Sequence, residues 1–259
     1  MRKTDTAARL AELLKDLRLP AIRTCYREAA ERAARESLGY EQFLLELVER
    51  EADVRRQHRI ERLLRQSGLP LGKTLESFDI KRLPGSMAAQ VRTLSDGSFL
   101  DRRENVLAFG NPGSGKTHLL CGIGHELVQA GRSVFFAPTA LLVEQLLAAR
   151  RDLRLDRLIK KLARFDAIIL DDLGYVQQSR DEMEVLFTLL AERYERGSVM
   201  ITSNLPFSKW EQIFKDPMTT AAAIDRLVHH SIILELNVPS YRMEAARKGK
   251  PRKTADGDQ

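Results

Sequence analysis

Apolar residues recur in two rhythms along this 259-residue chain, and the rhythm changes near residue 70. Before it, Leu10, Leu13, Leu14 and Leu17 return at intervals of three and four, which predicts a helix from Ala7 to Leu17, capped by Thr6 and closed by Pro20. A second helix, rich in Ala, Arg and Glu, is expected over Ala21–Glu36, with Leu38-Gly39 as its breaker. The third runs from Tyr40 to Gln66. Its apolar stripe of Phe43, Leu44, Leu47, Val48 and Val54, continued by Ile60, Leu63 and Leu64, reads as core. Gly68, Pro70 and Gly72 mark a linker, so residues 1–70 form a small all-α N-terminal domain.

Beyond the linker the pattern becomes short apolar runs alternating with helical stretches. The runs Val106–Phe109, Ser133–Ala137, Asp166–Leu170, Ser198–Thr202 and Ile232–Leu236 read as strands. Helices are expected after residue 118, over residues 140–149 with Thr139 as cap, over Glu182–Tyr194 and over Ala221–Val228. Strand and helix in alternation predict an α/β domain with a parallel sheet over residues 71–242. Trp210, on a helix starting near Ser208, is expected to pack. Leu75-Glu76-Ser77-Phe78-Asp79, with no role readable from its chemistry, precedes the strands of the core, and a polar stretch with Pro84, Gly85 and Gly97 leads from it towards the first strand. Residues 243–259 alternate Arg and Lys with Gly, Pro and Ala, the pattern of a disordered basic tail.

The chemistry centres on Gly110-Asn111-Pro112-Gly113-Ser114-Gly115-Lys116-Thr117, which fits the G-x-x-x-x-G-K-[ST] phosphate-binding loop. A strand, a Gly-rich turn and a helix N-terminus in that order gather backbone N–H groups and a positive dipole end around one anion. Lys116 is expected to reach the β and γ oxygens of a nucleoside triphosphate, and the Thr117 hydroxyl to bind Mg2+. A Cβ at Gly113 or Gly115 would keep the backbone from wrapping the phosphates. Asp171 and Asp172, at the end of an apolar strand, are the expected partners: the first for the metal, the second for the attacking water. Asn204, at the tip of the next strand, is a candidate γ-phosphate sensor, and Ser203-Asn204-Leu205-Pro206 is equally a turn sequence. Arg226 has no obvious partner in its own site. It is either a surface ion pair or a finger reaching the γ-phosphate of a neighbouring subunit. His118, Cys121 and His125 share a helix face, but no fourth zinc ligand is evident.

Charge adds a second theme. The chain carries 42 basic and 36 acidic residues, a formal net charge of +6, so an anionic partner is plausible without being required. Seven basic residues fall between Arg150 and Arg164, and on one helix Arg150, Arg154, Arg157 and Lys161 would share a face suited to a phosphate backbone, with Lys160 beside them. Arg55, Arg56 and Arg59 make a second run, read as a solvated face or a phosphate contact. Two distant cysteines argue for a reducing compartment, and the lack of a membrane span or signal segment makes the expected location cytoplasmic.

With these residues assembled, the sequence resembles the IstB-like ATP-binding proteins, the helper ATPases of bacterial insertion sequences, relatives of DnaC and DnaA. The resemblance rests on Leu17-Arg18-Leu19-Pro20, Gly39-Tyr40-Glu41-Gln42-Phe43-Leu44, Gly68-Leu69-Pro70 and Leu75–Asp79 in the first part of the chain. In the core it rests on Gly110–Thr117 with His118, Leu170–Gly174, Arg193-Tyr194-Glu195, Thr202-Ser203-Asn204, Asp225-Arg226-Leu227 and Ser240-Tyr241-Arg242. It implies an AAA+ P-loop fold with a five-stranded parallel sheet ordered 5-1-4-3-2 behind a helical domain. It also implies an ATP- and Mg2+-dependent hydrolase that assembles as a homo-oligomer on double-stranded DNA and directs an IstA-like transposase, with Arg226 acting in trans. A DnaC-like helicase loader would use the same core.

Overall fold

Each of the first three helices has only one apolar side, and together they close a small core. The computed structural model describes residues 3–174, 179–206, 209–210 and 217–241. The chain divides into two compact units, Met1–Arg62 and Leu63–Gln259. In the first, α1 (Lys3–Asp16), α2 (Pro20–Glu36) and α3 (Tyr40–Ser67) gather Leu14, Ile22, Ala29 and Leu47, with Leu19, Cys25, Tyr26 and Phe43 packed against them. Thr6 lies inside α1 rather than capping it. The Glu51 carboxylate closes the start of α2, accepting the amides of Ala21 at 2.9 Å and Ile22 at 3.1 Å while pairing with Arg55 at 2.9 Å. Only part of the expected stripe is core. Leu44 is 60% and Val48 50% exposed, because the other helices of this unit cover one side of α3 and not the other.

The unit boundary falls within α3, earlier than the linker expected at residues 68–72. That stretch is packed: Leu69 is buried and the Pro70 carbonyl lies 3.1 Å from His125 Nε2. Two short helices then precede the sheet, α4 (Gly85–Ser95) and α5 (Ser98–Asp101), where sequence reading saw only a polar stretch.

Five parallel strands follow: β1 (Asn105–Gly110), β2 (Val134–Pro138), β3 (Ala167–Leu173), β4 (Ser198–Ser203) and β5 (Ser231–Leu236). Their order is β2-β3-β4-β1-β5, the expected 5-1-4-3-2 read from the other edge. The connecting helices are α6 (Lys116–Gln129), α7 (Thr139–Arg151), α8 (Leu155–Leu162), α9 (Arg180–Arg193) and α10 (Pro217–Val228). A sheet covered on both faces needs near-continuous apolar strands, and Val106, Leu107, Ile168, Ile169, Leu170 and Met200 are fully buried. Trp210 packs with no exposure and donates its indole N–H to the Leu205 carbonyl at 3.0 Å; its expected helix and the basic tail lie largely outside the described residues.

Two further readings change. Thr139 begins α7 but does not cap it; its hydroxyl donates to the Asp171 carbonyl at 2.8 Å. The basic stretch is not one helix either. The chain breaks at Asp152–Arg154, where Leu153 has φ of +56°, so Arg150 lies in the last turn of α7 while Arg157, Lys160 and Lys161 belong to α8.

Candidate nucleotide site

Parallel strands feeding helices put every strand's C-terminal end at one edge of the sheet, and the candidate residues converge there. The loop between β1 and α6 is held open to an anion by left-handed backbone at Gly113 (φ +80°) and Gly115 (φ +98°). A Cβ at Gly113 would stand 2.2 Å from Ser240 Oγ, and one at Gly115 would stand 2.9 Å from Phe78 Cε2. Lys116 is buried, its ammonium donating to the carbonyls of Gly110 at 2.8 Å and Asn111 at 3.0 Å. The buried Ser114 hydroxyl has no hydrogen-bond partner, an orphan polar atom within the loop itself.

The acids sit beside this loop because β3 carries an irregularity. Its pairing with β4 shifts between Leu170 and Leu173, and Asp172 adopts φ of +56°. Asp171 is thereby buried and Asp172 exposed, so neighbouring carboxylates face different surroundings. Thr117 Oγ1 donates to Asp171 Oδ1 at 2.6 Å, bringing together the hydroxyl and carboxylate expected to bind metal. A hard divalent cation takes oxygen donors of this kind, so the residues present fit Mg2+.

Thr202, named above only within a strand and a family motif and given no role, connects both acids. Its hydroxyl donates to Asp171 Oδ1 at 2.7 Å and accepts the Asp172 backbone N–H at 2.8 Å, inside a fully buried position of β4. Asp172 and Asn204 line one cavity of about 290 Å³ together with Pro112, Gly113, Gly115, Lys116 and Thr117. Phe78, Asp79 and Tyr241 line it too. Phe78 meets the His118 ring edge-on at 5.3 Å, and His118 Nε2 lies 3.0 Å from both Ser77 Oγ and the Thr74 carbonyl. The segment whose role was unreadable is thus one wall of the site, fastened to the first turn of α6. The Tyr241 N–H donates to the Gly113 carbonyl at 2.9 Å, and the Arg82 guanidinium lies over the Tyr241 ring at 4.1 Å. Cys121 is fully buried in α6, and burial pushes its thiol up to about 12.

Residues 12–249 match the IstB-like ATP binding protein family. The chain belongs to that family. It is 48% identical over 248 residues to an insertion sequence ATP-binding protein of Sinorhizobium fredii, covering 95% of this chain and 83% of that one. It is 38% identical over 239 residues to the insertion sequence IS21 ATP-binding protein of Pseudomonas aeruginosa, covering 92% and 90%. Among solved structures, AMPPCP-bound DnaA from Aquifex aeolicus superposes with a TM-score of 0.55 at 16% identity, over 70% of this chain and 55% of that one, a likeness of fold. The IstB-like chain is therefore an ATP-binding protein of AAA+ architecture.

Arg226 stands apart from its own loop. It lines a second cavity with Arg102, Arg103, Asn105, Tyr194, Glu195 and His230, at the N-terminal end of β1. The loop lies at the other end, a six-residue strand or about 17 Å away. The Arg226 guanidinium lies 4.7 Å from the Phe187 ring centroid, and one of its terminal nitrogens is buried without a hydrogen-bond partner. The basic residues of this IstB-like chain are divided. Arg150 is engaged by Glu184 at 3.2 Å and Asp181 at 3.6 Å, and Lys160 by Asp156 at 2.9 Å. Arg154, Arg157 and Lys161 are exposed around α8. In the N-terminal unit Arg55 pairs with Glu51 and donates to the Arg18 carbonyl, while Arg56 and Arg59 are exposed. Among the described residues no helix is long and apolar enough to cross a membrane.

Proposed function

We propose that this protein is a Mg2+-dependent ATP hydrolase that assembles with copies of itself on double-stranded DNA and assists a transposase in target selection. The observation that carries the reading is the contact of Thr117 with Asp171 beside an exposed Asp172, which joins the phosphate loop to an acid pair. ATP supplies the phosphoanhydride bond, and Mg2+ neutralises charge on its phosphates. Lys116 and the loop amides hold the β- and γ-phosphates, and Thr117 and Asp171 supply metal-binding oxygens. Asp172 orients the attacking water and takes up its proton, with Asn204 on the same cavity wall. Phe78 and Tyr241 offer aromatic faces for the base.

Arg226 lies too far from its own loop to touch the γ-phosphate, and its unpartnered nitrogen suits an anion brought by a neighbouring subunit. Arg154, Arg157 and Lys161 are the candidates for phosphate-backbone contact. The insertion-sequence names of the relatives favour a transposase as partner over the helicase of the loader reading.

The test is ATP turnover with and without duplex DNA, alongside sedimentation. The native chain should hydrolyse ATP faster with DNA and sediment as an oligomer with both ligands. Asp172→Asn should bind ATP normally and lose turnover by a factor on the order of 100 or more. Equal turnover in that variant would remove Asp172 from its role. Association with a helicase rather than the transposase would favour the loader.

A further inference from the structure

Three side chains outside the nucleotide site converge where α9 and α10 end. Glu195 follows α9, and His229 and His230 follow α10 immediately. One donor atom from each lies within 4.8 Å of the other two, and among the described residues this is the one such group of His, Cys, Asp and Glu. All three are exposed and open to an ion from solvent. The imidazole rings lie 4.2 Å apart at 59°, a tilt that keeps them from stacking flat.

We propose that Glu195, His229 and His230 form a binding site for one divalent transition-metal ion of the Zn2+ class, with solvent completing the coordination.

Two imidazoles and a carboxylate are a donor set that Zn2+ takes with water in the fourth position. Tetrahedral Zn2+ brings its donors to roughly 3.3 Å of one another, so a bound ion would draw the three side chains closer than they stand here. The field at this spot is mixed, with three arginines lining the same cavity as Glu195 and His230. Arg102 pairs with Glu104 at 2.9 Å, Arg103 donates to the backbone carbonyl of Glu195 and so leaves the carboxylate, and Arg226 lies over Phe187. The carbonyl end of α10 favours positive charge next to His229. The Tyr194 hydroxyl lies 3.4 Å from His229 Nδ1. A bound ion would tie the segment after α9 to the end of α10, three residues beyond Arg226. Metal occupancy would then fix the position of that arginine.

Tag-free protein, stripped with a chelator and kept free of nucleotide, is titrated with Co2+ while its visible d–d absorption is followed, and Zn2+ is then added. One Co2+ per chain should give a band that Zn2+ abolishes. His230→Ala and Glu195→Gln should each weaken Co2+ binding about 10-fold or more. Each variant should keep normal ATP binding, which reports an intact fold. Because a divalent ion also fits between Thr117 and Asp171, Asp171→Ala is run beside them and should keep the full band. No saturable binding, a band unchanged in both His230→Ala and Glu195→Gln, or a band lost in Asp171→Ala would each overturn the site.

Discussion

At the carboxyl end of the sheet Lys116 and Asp171 are buried, and each is held by protein oxygens: two carbonyls for the ammonium, two hydroxyls for the carboxylate. At the amino end Glu195, His229 and His230 are exposed, and Arg226 keeps a buried nitrogen with no partner. The first arrangement is complete within one chain and orders its charges in advance, as a site that must grip phosphate requires. The second is chemically unfinished, which is how a surface that receives an anion or an ion from outside should look. One fold thus places a finished half-site and an open one at opposite ends of the same strands.

The largest effect expected is at the finished end. Lys116→Ala should weaken ATP binding by about 100-fold through loss of a charged hydrogen-bonding group, and with it all turnover; titration with a fluorescent ATP analogue measures it. Tight binding in that variant would break the comparison outright. At the open end, Arg226→Ala should leave ATP affinity intact and slow hydrolysis by a factor on the order of 1000. Mixing it with Lys116→Ala should recover turnover, because each supplies the half-site the other lacks. Failure at every mixing ratio would assign Arg226 to its own chain's stability. A smaller effect is expected at Thr202: Thr202→Val should lower kcat roughly 10-fold and raise the Mg2+ concentration needed, with Thr202→Ser restoring both. Loss of thermal stability without a shift in Mg2+ dependence would make Thr202 merely a core residue. Smallest is the combined neutralisation of Arg154, Arg157 and Lys161, which should reduce the salt slope of DNA affinity by about 0.9 for each phosphate that the protein no longer neutralises, evenly across sequences. An unchanged slope returns α8 to an ordinary solvated helix.

How much of this was readable in advance follows sequence distance. The phosphate loop is contiguous, and each of its residues has a fixed job, so Gly110–Thr117 could be read directly. The sheet order came through the family resemblance that the motifs support. Thr202 could not be read this way, because its importance lies in touching two acids about thirty residues earlier, and a Thr in a strand also reads as β-propensity. Phe78 and Tyr241 flank the loop from segments on either side of the domain, with no periodicity to mark them. The basic cluster misled for a local reason: Arg150 to Lys161 has helical spacing, and the left-handed Leu153 that breaks the helix is an ordinary residue, not Gly or Asn. The stripe on α3 was correctly apolar, but periodicity says which residues share a face and not whether another element covers it.

β5 begins directly after His230 and ends at Leu236, which pairs with Gly110 at the mouth of the phosphate loop. Five residues later the chain clasps Gly113 through the Tyr241 amide. This edge strand is therefore a short rigid rod pinned at both ends, one end in the corner that holds Arg226 and the other on the loop that holds ATP. A rod of that kind has one degree of freedom, sliding along β1, and its ladder to β1 forbids even a single-residue step without turning every side chain over. In a ring or filament of such subunits, the spacing between the nucleotide a subunit holds and the arginine it lends would be the same at every junction. Were subunits to assemble as proposed, that one hydrogen-bonded strand would be the gauge by which successive sites are kept in step.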